Sequence, residues 1–343
     1  MDSIKSNITA FHQLGEFLSQ FSLKKIEQKE NIPHNELFFD GFKHQLKIAG
    51  ENNTWFTKEN LLFSIENWSK ALTSDNLTNW VSNENIGKND AKKVAIIMAG
   101  NIPLVGFHDF LSVLISGHSV VVKQSSNDKH LLPFLAKYLE YAQPELKGKI
   151  TFTEQKLTDF DAVIATGSNN TARYFEFYFK DKPSIIRKSR NSVAVLTGNE
   201  TPQDLENLSN DVFCYFGLGC RSVSKLYVPK NYNFDPFFTG MYNKQEIINN
   251  AKYANNYDYN KAVYLMSEFD ILENGFLMIK EDESYASPIA SVFYEYYDNI
   301  EDLKLKLKQD KEKIQCVVAR NFTANEIAFG ETQNPQLWDY ADG

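Results

Sequence analysis

A regular alternation of short apolar runs and helical patterns between residues 93 and 179 constrains this chain more than any other feature. The short runs are rich in β-branched residues, as buried parallel strands are, and the longer segments space their apolar residues at the helical period. The strand-like runs are KVAIIMA, SVVVKQ, KITFTE and DAVIAT, and the helical segments are PLVGFHDFLSVLIS, KHLLPFLAKYLEYA and NNTARYFEFYF. This order predicts an α/β fold with a doubly wound parallel sheet.

The segments on both sides add a helical layer and a second α/β unit. Before residue 90, AFHQLGEFLSQF and TKENLLFSIENWSKAL have helical spacing, and KLKLKQDKEK near the other end is typical of the solvated face of a helix. After residue 191 we expect a helix in PQDLENLSNDVFCYF and strands in SVAVLTGN, SKLYVP, AVYLMSE, GFLMIKE, PIASVFYEYY and QCVVAR. A chain of 343 residues is long enough for two such cores.

Charge, cysteine content and hydropathy exclude several classes of protein. A net charge of −8 argues against general nucleic-acid binding. Three cysteines are too few for a disulfide framework, which favours a reducing, cytoplasmic location. The longest apolar tract, residues 94–122, is interrupted by Gly-Asn, Pro, His-Asp and Gly-His, so it predicts strand, loop and helix rather than a membrane span. The first residues also lack the apolar stretch of a signal peptide.

Polar and glycine residues directly follow three of the predicted strands. Asn101, Lys123 and the Gly167-Ser168 pair would lie at the carboxyl ends of parallel strands, where such sheets bind ligands. Each also has an ordinary alternative: Asn101 as a helix cap, Lys123 as a solvated side chain, and Gly-Ser as a simple turn.

A cysteine at the mouth of a glycine turn is the strongest candidate for chemistry. Cys220 follows Gly-Leu-Gly and precedes a strand-like run, so the turn would expose the thiol and offer peptide N–H groups to a thiolate or an oxyanion. The alternative is a small buried side chain, which we expect for Cys214 in its helical pattern and Cys316 in its apolar strand.

Five segments, in order from about residue 93 to residue 300, resemble the aldehyde dehydrogenase superfamily. They are MAGNIPLVG, VVVKQSS, IATGSNNTA, GLGCRSVSKLYV, in which Ser224 and Lys225 follow the cysteine as in the family, and ESYASPIASVFYEYYDNIEDL. The most similar subfamily is that of the fatty acyl-CoA reductases of bacterial luminescence (LuxC-like).

The resemblance implies an aldehyde-dehydrogenase-like fold with a Rossmann-type cofactor domain and an α/β catalytic domain. We therefore expect an N-terminal helical part of the cofactor domain at 1–90 and an NADP(H)-binding core at 91–191. The catalytic domain would cover 192–325, and a C-terminal segment at 326–343 would return to the cofactor domain.

The resemblance also implies roles for individual residues. Cys220 would be the nucleophile, and the Asn101 amide would donate to the oxyanion together with the Cys220 N–H. Lys123 would bind the adenine ribose, and Gly167 and Ser168 would lie under the pyrophosphate. Ser126 stands where NAD-preferring members carry a Glu for the ribose 2′-hydroxyl, which favours NADP(H). No metal is implied.

Two departures from the family pattern bear on the reaction. Ile186 stands where hydrolytic members have their general base, and no carboxylate lies between residues 182 and 198. Without this base, water competes poorly for a thioester, and coenzyme A can enter and leave by thiol exchange. The second departure is Ser284, where the family has a Glu that grips the nicotinamide ribose.

Basic residues are concentrated in the same stretch as the missing base. Arg187, Lys188 and Arg190 could meet the phosphates of coenzyme A, or they could form a solvated edge.

The predicted activity is reduction of an acyl-CoA, of the fatty acyl kind, to the aldehyde by NADPH through an S-acyl-cysteine. The alternatives are acyl-phosphate reduction or aldehyde oxidation on the same fold, or a non-catalytic binding protein. The partners would be acyl-CoA and coenzyme A, without nucleic acid or a membrane span. The sequence leaves the acyl chain length open, and the protein could be a monomer or a dimer.

Overall fold

The computed structural model describes residues 2–82 and 90–339. They form two compact units: unit 1 contains the residues up to Lys188 and those from Gln336 onward, and unit 2 is Ser189–Pro335. Residues 83–89 and 340–343, which belong to the predicted segments 1–90 and 326–343, lie outside the described residues, as does Met1. The functional division into four segments stays a prediction.

A parallel sheet forms the centre of unit 1. Its strands are β1 (Lys93–Ile97), β2 (Ser119–Lys123), β3 (Ile150–Phe152), β4 (Ala162–Thr166) and β5 (Ser184–Arg187). Among the described residues the sheet has the order β3-β2-β1-β4-β5, and every pairing is parallel. The chain reverses its winding between β1 and β4, and ligands of doubly wound sheets bind at such a reversal.

Helices cover this sheet and build a core rich in aromatic residues. They are α1 (Asp2–Leu18), α2 (Asn35–Asn52), α3 (Lys58–Ala71), α4 (Ser74–Ser82), α5 (Phe107–Ile115), α6 (Leu131–Ala142) and α7 (Asn169–Tyr178). Phe17 of α1 stacks on Tyr138 of α6 with ring centroids 4.8 Å apart, and Phe42 of α2 packs against both Phe17 and Phe21. These contacts hold α1 and α2 together and pack α1 against α6, the helix between β2 and β3.

Unit 2 contains a second, mixed sheet. Its strands are β6 (Asn191–Val195), β7 (Val223–Pro229), β8 (Ile271–Glu273), β9 (Met278–Glu281), β10 (Ser291–Tyr297) and β11 (Ile314–Val318). The order in the described part of the chain is β11-β6-β7-β10-β9-β8, with only the edge pair of β8 and β9 antiparallel. β7, the strand that follows the segment with Cys220, therefore lies inside the sheet.

The helices of unit 2 are α8 (Pro202–Phe213), α9 (Asp235–Met241), α10 (Ala251–Met266) and α11 (Ile300–Gln309). Local sequence explains where α8 begins. Thr201 and Asp204 form a reciprocal capping box, and Pro202 occupies the first turn, where its missing N–H costs nothing. α8 ends directly before the segment that carries Cys220.

The α/β architecture and the doubly wound parallel sheet predicted from sequence are confirmed. One predicted strand is wrong: AVYLMSE lies mostly within α10. Asn250 caps this helix by accepting from the N–H groups of Lys252 and Tyr253. Tyr253, Tyr257 and Tyr264 are buried at the helical spacing. The run AVYLMSE alone fits a strand or a helix, and the burial of this tyrosine face favours the helix.

No helix in residues 2–82 and 90–339 has the length and apolarity needed to cross a bilayer.

Candidate active site

The sheet of unit 1 brings the predicted cofactor residues and the predicted oxyanion donor Asn101 to one edge. Asn101 follows β1, Lys123 is the last residue of β2, and Ser126 lies three residues beyond it. Gly167 and Ser168 connect β4 to α7. Since β1, β2 and β4 are parallel neighbours, these side chains share the carboxyl edge of the sheet.

The connection from β4 to α7 is a tight turn with a capped helix start. The Ser168 hydroxyl accepts from the N–H of Thr171 at 3.2 Å. A Cβ on Gly167 would come within 3.1 Å of Thr171 and Phe175 side chains, so glycine allows the strand end and the helix to approach closely. A helix N-terminus at this edge offers a positive dipole end to an anion.

A buried aspartate fixes the loop that carries Asn101. Asp128 Oδ2 accepts from the N–H of Leu104 at 2.7 Å, and Leu104 has a left-handed φ of 57°. The Pro103 carbonyl accepts from Ser64 at 3.0 Å. These contacts hold the loop on both sides of Pro103 and leave Asn101 exposed at the sheet edge.

Asp128 is also a titratable group, and its burial disfavours the charged carboxylate. Its Oδ1 is buried and, among the described residues, has no hydrogen-bond partner. Burial raises the pKa of the Asp128 carboxyl to about 6, opposed only in part by the Leu104 N–H. The folded chain therefore binds more protons than the unfolded chain at pH values between the ordinary carboxyl pKa of 3.8 and the raised pKa of about 6.

The free energy of unfolding should thus fall as pH rises through this window. We expect Asp128→Asn, which keeps an acceptor for the Leu104 N–H and carries no charge, to raise it by about 1–3 kcal/mol at pH 8. The gain should vanish near pH 4. Urea unfolding of wild type and variant at both pH values measures this, with Asp181→Asn at an exposed position of the same unit as control. A gain of equal size at both pH values would contradict the assignment.

The three basic residues proposed for coenzyme A have different surroundings. Arg187 forms an ion pair of 2.5 Å with Asp109, and both side chains are largely buried. Lys188 is exposed and pairs with Glu176 at 2.7 Å. Arg190 belongs to unit 2 and lies 3.7 Å from Glu312. Each is therefore tied to its own carboxylate.

A left-handed turn presents Cys220. Three consecutive residues have positive φ: Tyr215 at 53°, Phe216 at 59° and Gly217 at 76°. This conformation costs a non-glycine residue on the order of 1 kcal/mol, and it reverses the chain between the end of α8 and the start of β7. Cys220 is exposed on this turn, and its carbonyl accepts from the buried Ser192 hydroxyl at 2.9 Å.

Opposing influences act on the Cys220 thiol. Although the residue is exposed, protein atoms surround its sulfur closely enough that burial raises the pKa of the thiol. The charges of Arg221 and Arg190 oppose this rise, as do the backbone N–H groups of Cys220 and Arg221. The same N–H groups are donors of the kind that stabilise an oxyanion.

The other two cysteines are less accessible. Cys316 is buried in β11, and burial raises the pKa of its thiol. Cys214 is half-buried at the end of α8, where its carbonyl accepts from Ser222 at 3.3 Å. Of the three cysteines, Cys220 is the exposed one.

Ser224 and Lys225 bind the backbone of the loop that contains Ser284. The Ser224 hydroxyl donates to the Tyr285 carbonyl at 2.7 Å. The fully buried Lys225 donates to the carbonyls of Asp282 and Glu283 at 3.0 and 2.7 Å, and forms an ion pair of 2.8 Å with Glu295. Ser284 is therefore held in a loop anchored from β7, the strand that follows Cys220.

In the described ranges, no group of three or more His, Cys, Asp or Glu side chains could hold a metal ion.

Comparison with known families decides what kind of protein this is. The model of the LuxC family, described as acyl-CoA reductase, matches residues 15–238, which is well over half of the chain. The chain belongs to the LuxC acyl-CoA reductase family. The predicted resemblance is thereby confirmed, and the family makes this protein an oxidoreductase concerned with acyl groups and aldehydes. No curated protein sequence matches this LuxC-family chain.

Solved structures show the fold of this LuxC-family chain. The indole-3-acetaldehyde dehydrogenase of P. syringae, in complex with NAD+ and IAA, is similar with a TM-score of 0.64 at 13% identity, covering 95% of this chain and 73% of that one. The aldehyde dehydrogenase KauB from Pseudomonas aeruginosa gives 0.63 at 11%, covering 95% and 73%. Aldehyde dehydrogenase 21 from Physcomitrella patens gives 0.63 at 12%, covering 94% and 78%. The predicted aldehyde-dehydrogenase-like fold is confirmed.

Sequence reasoning missed the residues that support the site of this LuxC-family protein. The charge of Arg221 acts to lower the pKa of the Cys220 thiol. Arg221 directly follows Cys220 in the chain, so the sequence alone could have indicated this charge. Asp128 gave no signal, because a buried aspartate in a turn is recognisable only by its distant partners.

Proposed function

We propose that this protein reduces a fatty acyl-CoA thioester to the aldehyde with NADPH, through an S-acyl intermediate on Cys220. The observation that carries the proposal is an exposed thiol on a left-handed turn, with backbone N–H groups and two arginine charges acting on it, in a chain of the acyl-CoA reductase family.

The proposed reaction balances around the sulfur of Cys220. The thiolate attacks the thioester carbonyl carbon, a bond to this carbon forms, and coenzyme A leaves as a thiolate. A reduced nicotinamide held at the unit 1 sheet edge would supply the hydride that the acyl carbon accepts. The resulting thiohemiacetal oxyanion collapses, releasing the aldehyde and regenerating the Cys220 thiolate.

Charge on the oxygen must be stabilised in both addition steps. The Cys220 N–H is one proposed donor, and the Asn101 amide is the second, as the resemblance implies. Donors of this type contribute about 3 kcal/mol each to transition-state stabilisation. The buried contact of Asp128 with the Leu104 N–H supports a fixed loop conformation for Asn101.

The edge of the unit 1 sheet fits a nicotinamide dinucleotide. The P. syringae neighbour is in complex with NAD+, which supports a cofactor of this class here. Lys123, the Ser168 turn and the N-terminus of α7 are groups suited to ribose hydroxyls and a pyrophosphate. Ser126 is exposed and uncharged, so it presents no carboxylate to repel a 2′-phosphate.

We expect the wild-type enzyme to prefer NADPH, and Ser126→Glu to shift this preference toward NADH by about tenfold or more. A carboxylate repels the 2′-phosphate of NADPH and accepts a hydrogen bond from the 2′-hydroxyl of NADH. The ratio of kcat/KM for the two cofactors is the measurement, with Ser126→Gln as the uncharged control of similar size. A wild-type preference for NADH would contradict the assignment.

Coenzyme A is the proposed thiol partner. Ile186 stands where hydrolytic relatives have their general base, and its side chain cannot deprotonate water, so a thiol is favoured over water as the second acyl acceptor. Lys188 and Arg190 are the stronger candidates for contacts to its phosphates. Arg187 would have to leave its buried partner Asp109 to reach a phosphate.

Two alternatives make different predictions. Acyl-phosphate reduction or aldehyde oxidation on the same fold would show a different substrate, and a non-catalytic binding protein would show no turnover. Incubation with NADPH and a panel of acyl-CoAs of increasing chain length, with the corresponding acyl phosphates in parallel and with aldehydes plus NADP+ for the oxidation, tests all three when followed at the nicotinamide absorbance. The proposal expects acyl-CoA-dependent oxidation of NADPH with formation of aldehyde. Activity only with acyl phosphates, or none with any acyl donor, would reject it.

A further inference from the structure

A turn near the end of unit 2, residues 330–333, is fixed by one buried carboxylate. Asp211 of α8 accepts from the N–H of Gly330 at 2.6 Å, the N–H of Thr332 at 3.0 Å and the Thr332 hydroxyl at 2.8 Å. Both Asp211 and Thr332 are fully buried. Three donors to one buried carboxylate define the position of this turn closely.

The two residues that follow Cys220 are bound to this turn. Arg221 Nη1 donates to the Thr332 carbonyl at 3.2 Å and contacts Cys316 Sγ at 3.4 Å. The Gln333 amide donates to the Ser222 hydroxyl at 3.4 Å. The guanidinium is thus held in place next to the segment that carries the thiol.

Four groups with charges or titratable protons surround this region of unit 2. Arg221 is the strongest of the charges that lower the pKa of the Cys220 thiol, and Arg190, which has Glu312 as a partner, is weaker. Cys316 interacts electrostatically with Cys220, and Asp211 with Cys316. Of these described groups, Arg221 combines a positive charge with a position fixed by the Thr332 carbonyl and by contact with Cys316 Sγ.

We propose that Arg221 is a positioning residue for the nucleophile: anchored to Thr332, which Asp211 fixes, its guanidinium favours the anionic form of Cys220. This inference rests on the proposed function only in taking Cys220 as the nucleophile. The thiol's ionisation is a property of the protein alone and can be measured without substrate or cofactor.

The test is the pH dependence of Cys220 alkylation by iodoacetamide in the full chain, followed by peptide mass mapping so that each cysteine is scored separately. In Arg221→Gln we expect alkylation of Cys220 at pH 7 to be about tenfold slower, with the midpoint of the rate profile moved to higher pH. Arg221→Lys keeps the charge, so its rate should stay within about threefold of wild type. Arg190→Gln should slow alkylation less than Arg221→Gln does.

Three results would overturn the inference. One is a folded Arg221→Gln protein with the wild-type pH profile, and another is an Arg221→Lys protein whose midpoint rises as far as that of Arg221→Gln. If Arg221→Gln does not fold, the lysine variant decides alone, and an upward shift of its midpoint rejects the role of charge. Failure of the proposed function is distinguishable, because it would leave the alkylation profiles as expected while acyl-CoA gives no turnover.

Discussion

Exchange of Cys220 for alanine should lower the rate of acyl-CoA reduction by more than about 1,000-fold and abolish acyl-enzyme formation. In the proposed reaction the Cys220 sulfur carries the acyl group, and alanine has no atom that could form this bond. Intact-protein mass after mixing with acyl-CoA, together with steady-state turnover, measures both effects.

The other cysteines supply matched controls for this exchange. The Cys214→Ala variant should still form the acyl-enzyme, since the half-buried Cys214 precedes the left-handed turn at residues 215–217. Cys316→Ala should lower the free energy of unfolding by about 1 kcal/mol, since it removes a buried sulfur from β11. Residual turnover above about one percent in the Cys220 variant would exclude it as the nucleophile.

Exchange of Lys225 for methionine should lower the free energy of unfolding by about 3 kcal/mol. The ammonium is fully buried, and burial lowers its pKa while the Glu295 carboxylate opposes this. Removing it leaves two carbonyls of the loop, those of Asp282 and Glu283, without this donor, and deprives Glu295 of its buried partner.

Lys306→Met is the matched control, because Lys306 pairs with the same Glu295 but its side chain is 39% exposed. We expect it to cost less than about 1 kcal/mol. Urea unfolding read by hydrogen exchange in β7 and β10 reports on unit 2 specifically. Equal losses for both exchanges would contradict the role assigned to the buried cation.

The strands that carry the site were predictable where burial on both faces produces continuous apolar runs. β1, β2 and β4 each appear in the sequence as such a run, and the polar residue that follows each one marks the sheet edge. β5 was missed because it is a short edge strand whose Ser184 and Ile185 are exposed. An exposed edge imposes no strong pattern on the sequence.

The cysteine turn was predictable in outline, because glycine on both sides of Leu218 indicates a reversal before a strand. Its conformation was not, since Tyr215 and Phe216 take left-handed φ values that their residue types disfavour. The supporting contacts were out of reach for a different reason. Asp211 and Thr332 are 121 positions apart, and Lys225 and Glu295 are 70 apart. Only the folded chain brings such pairs together.

We propose that Cys220 holds an acyl group, which leaves by reduction or by thiol exchange rather than by hydrolysis. Ile186 lies on β5 and offers no base for water, so the thioester should persist until a hydride or coenzyme A reaches it.

The most direct measurement mixes the protein with acyl-CoA alone and follows the products by mass spectrometry. We expect a stable adduct on Cys220 that NADPH discharges as aldehyde and coenzyme A discharges as acyl-CoA. Rapid release of free fatty acid, at a rate comparable to that of reduction, would contradict the account.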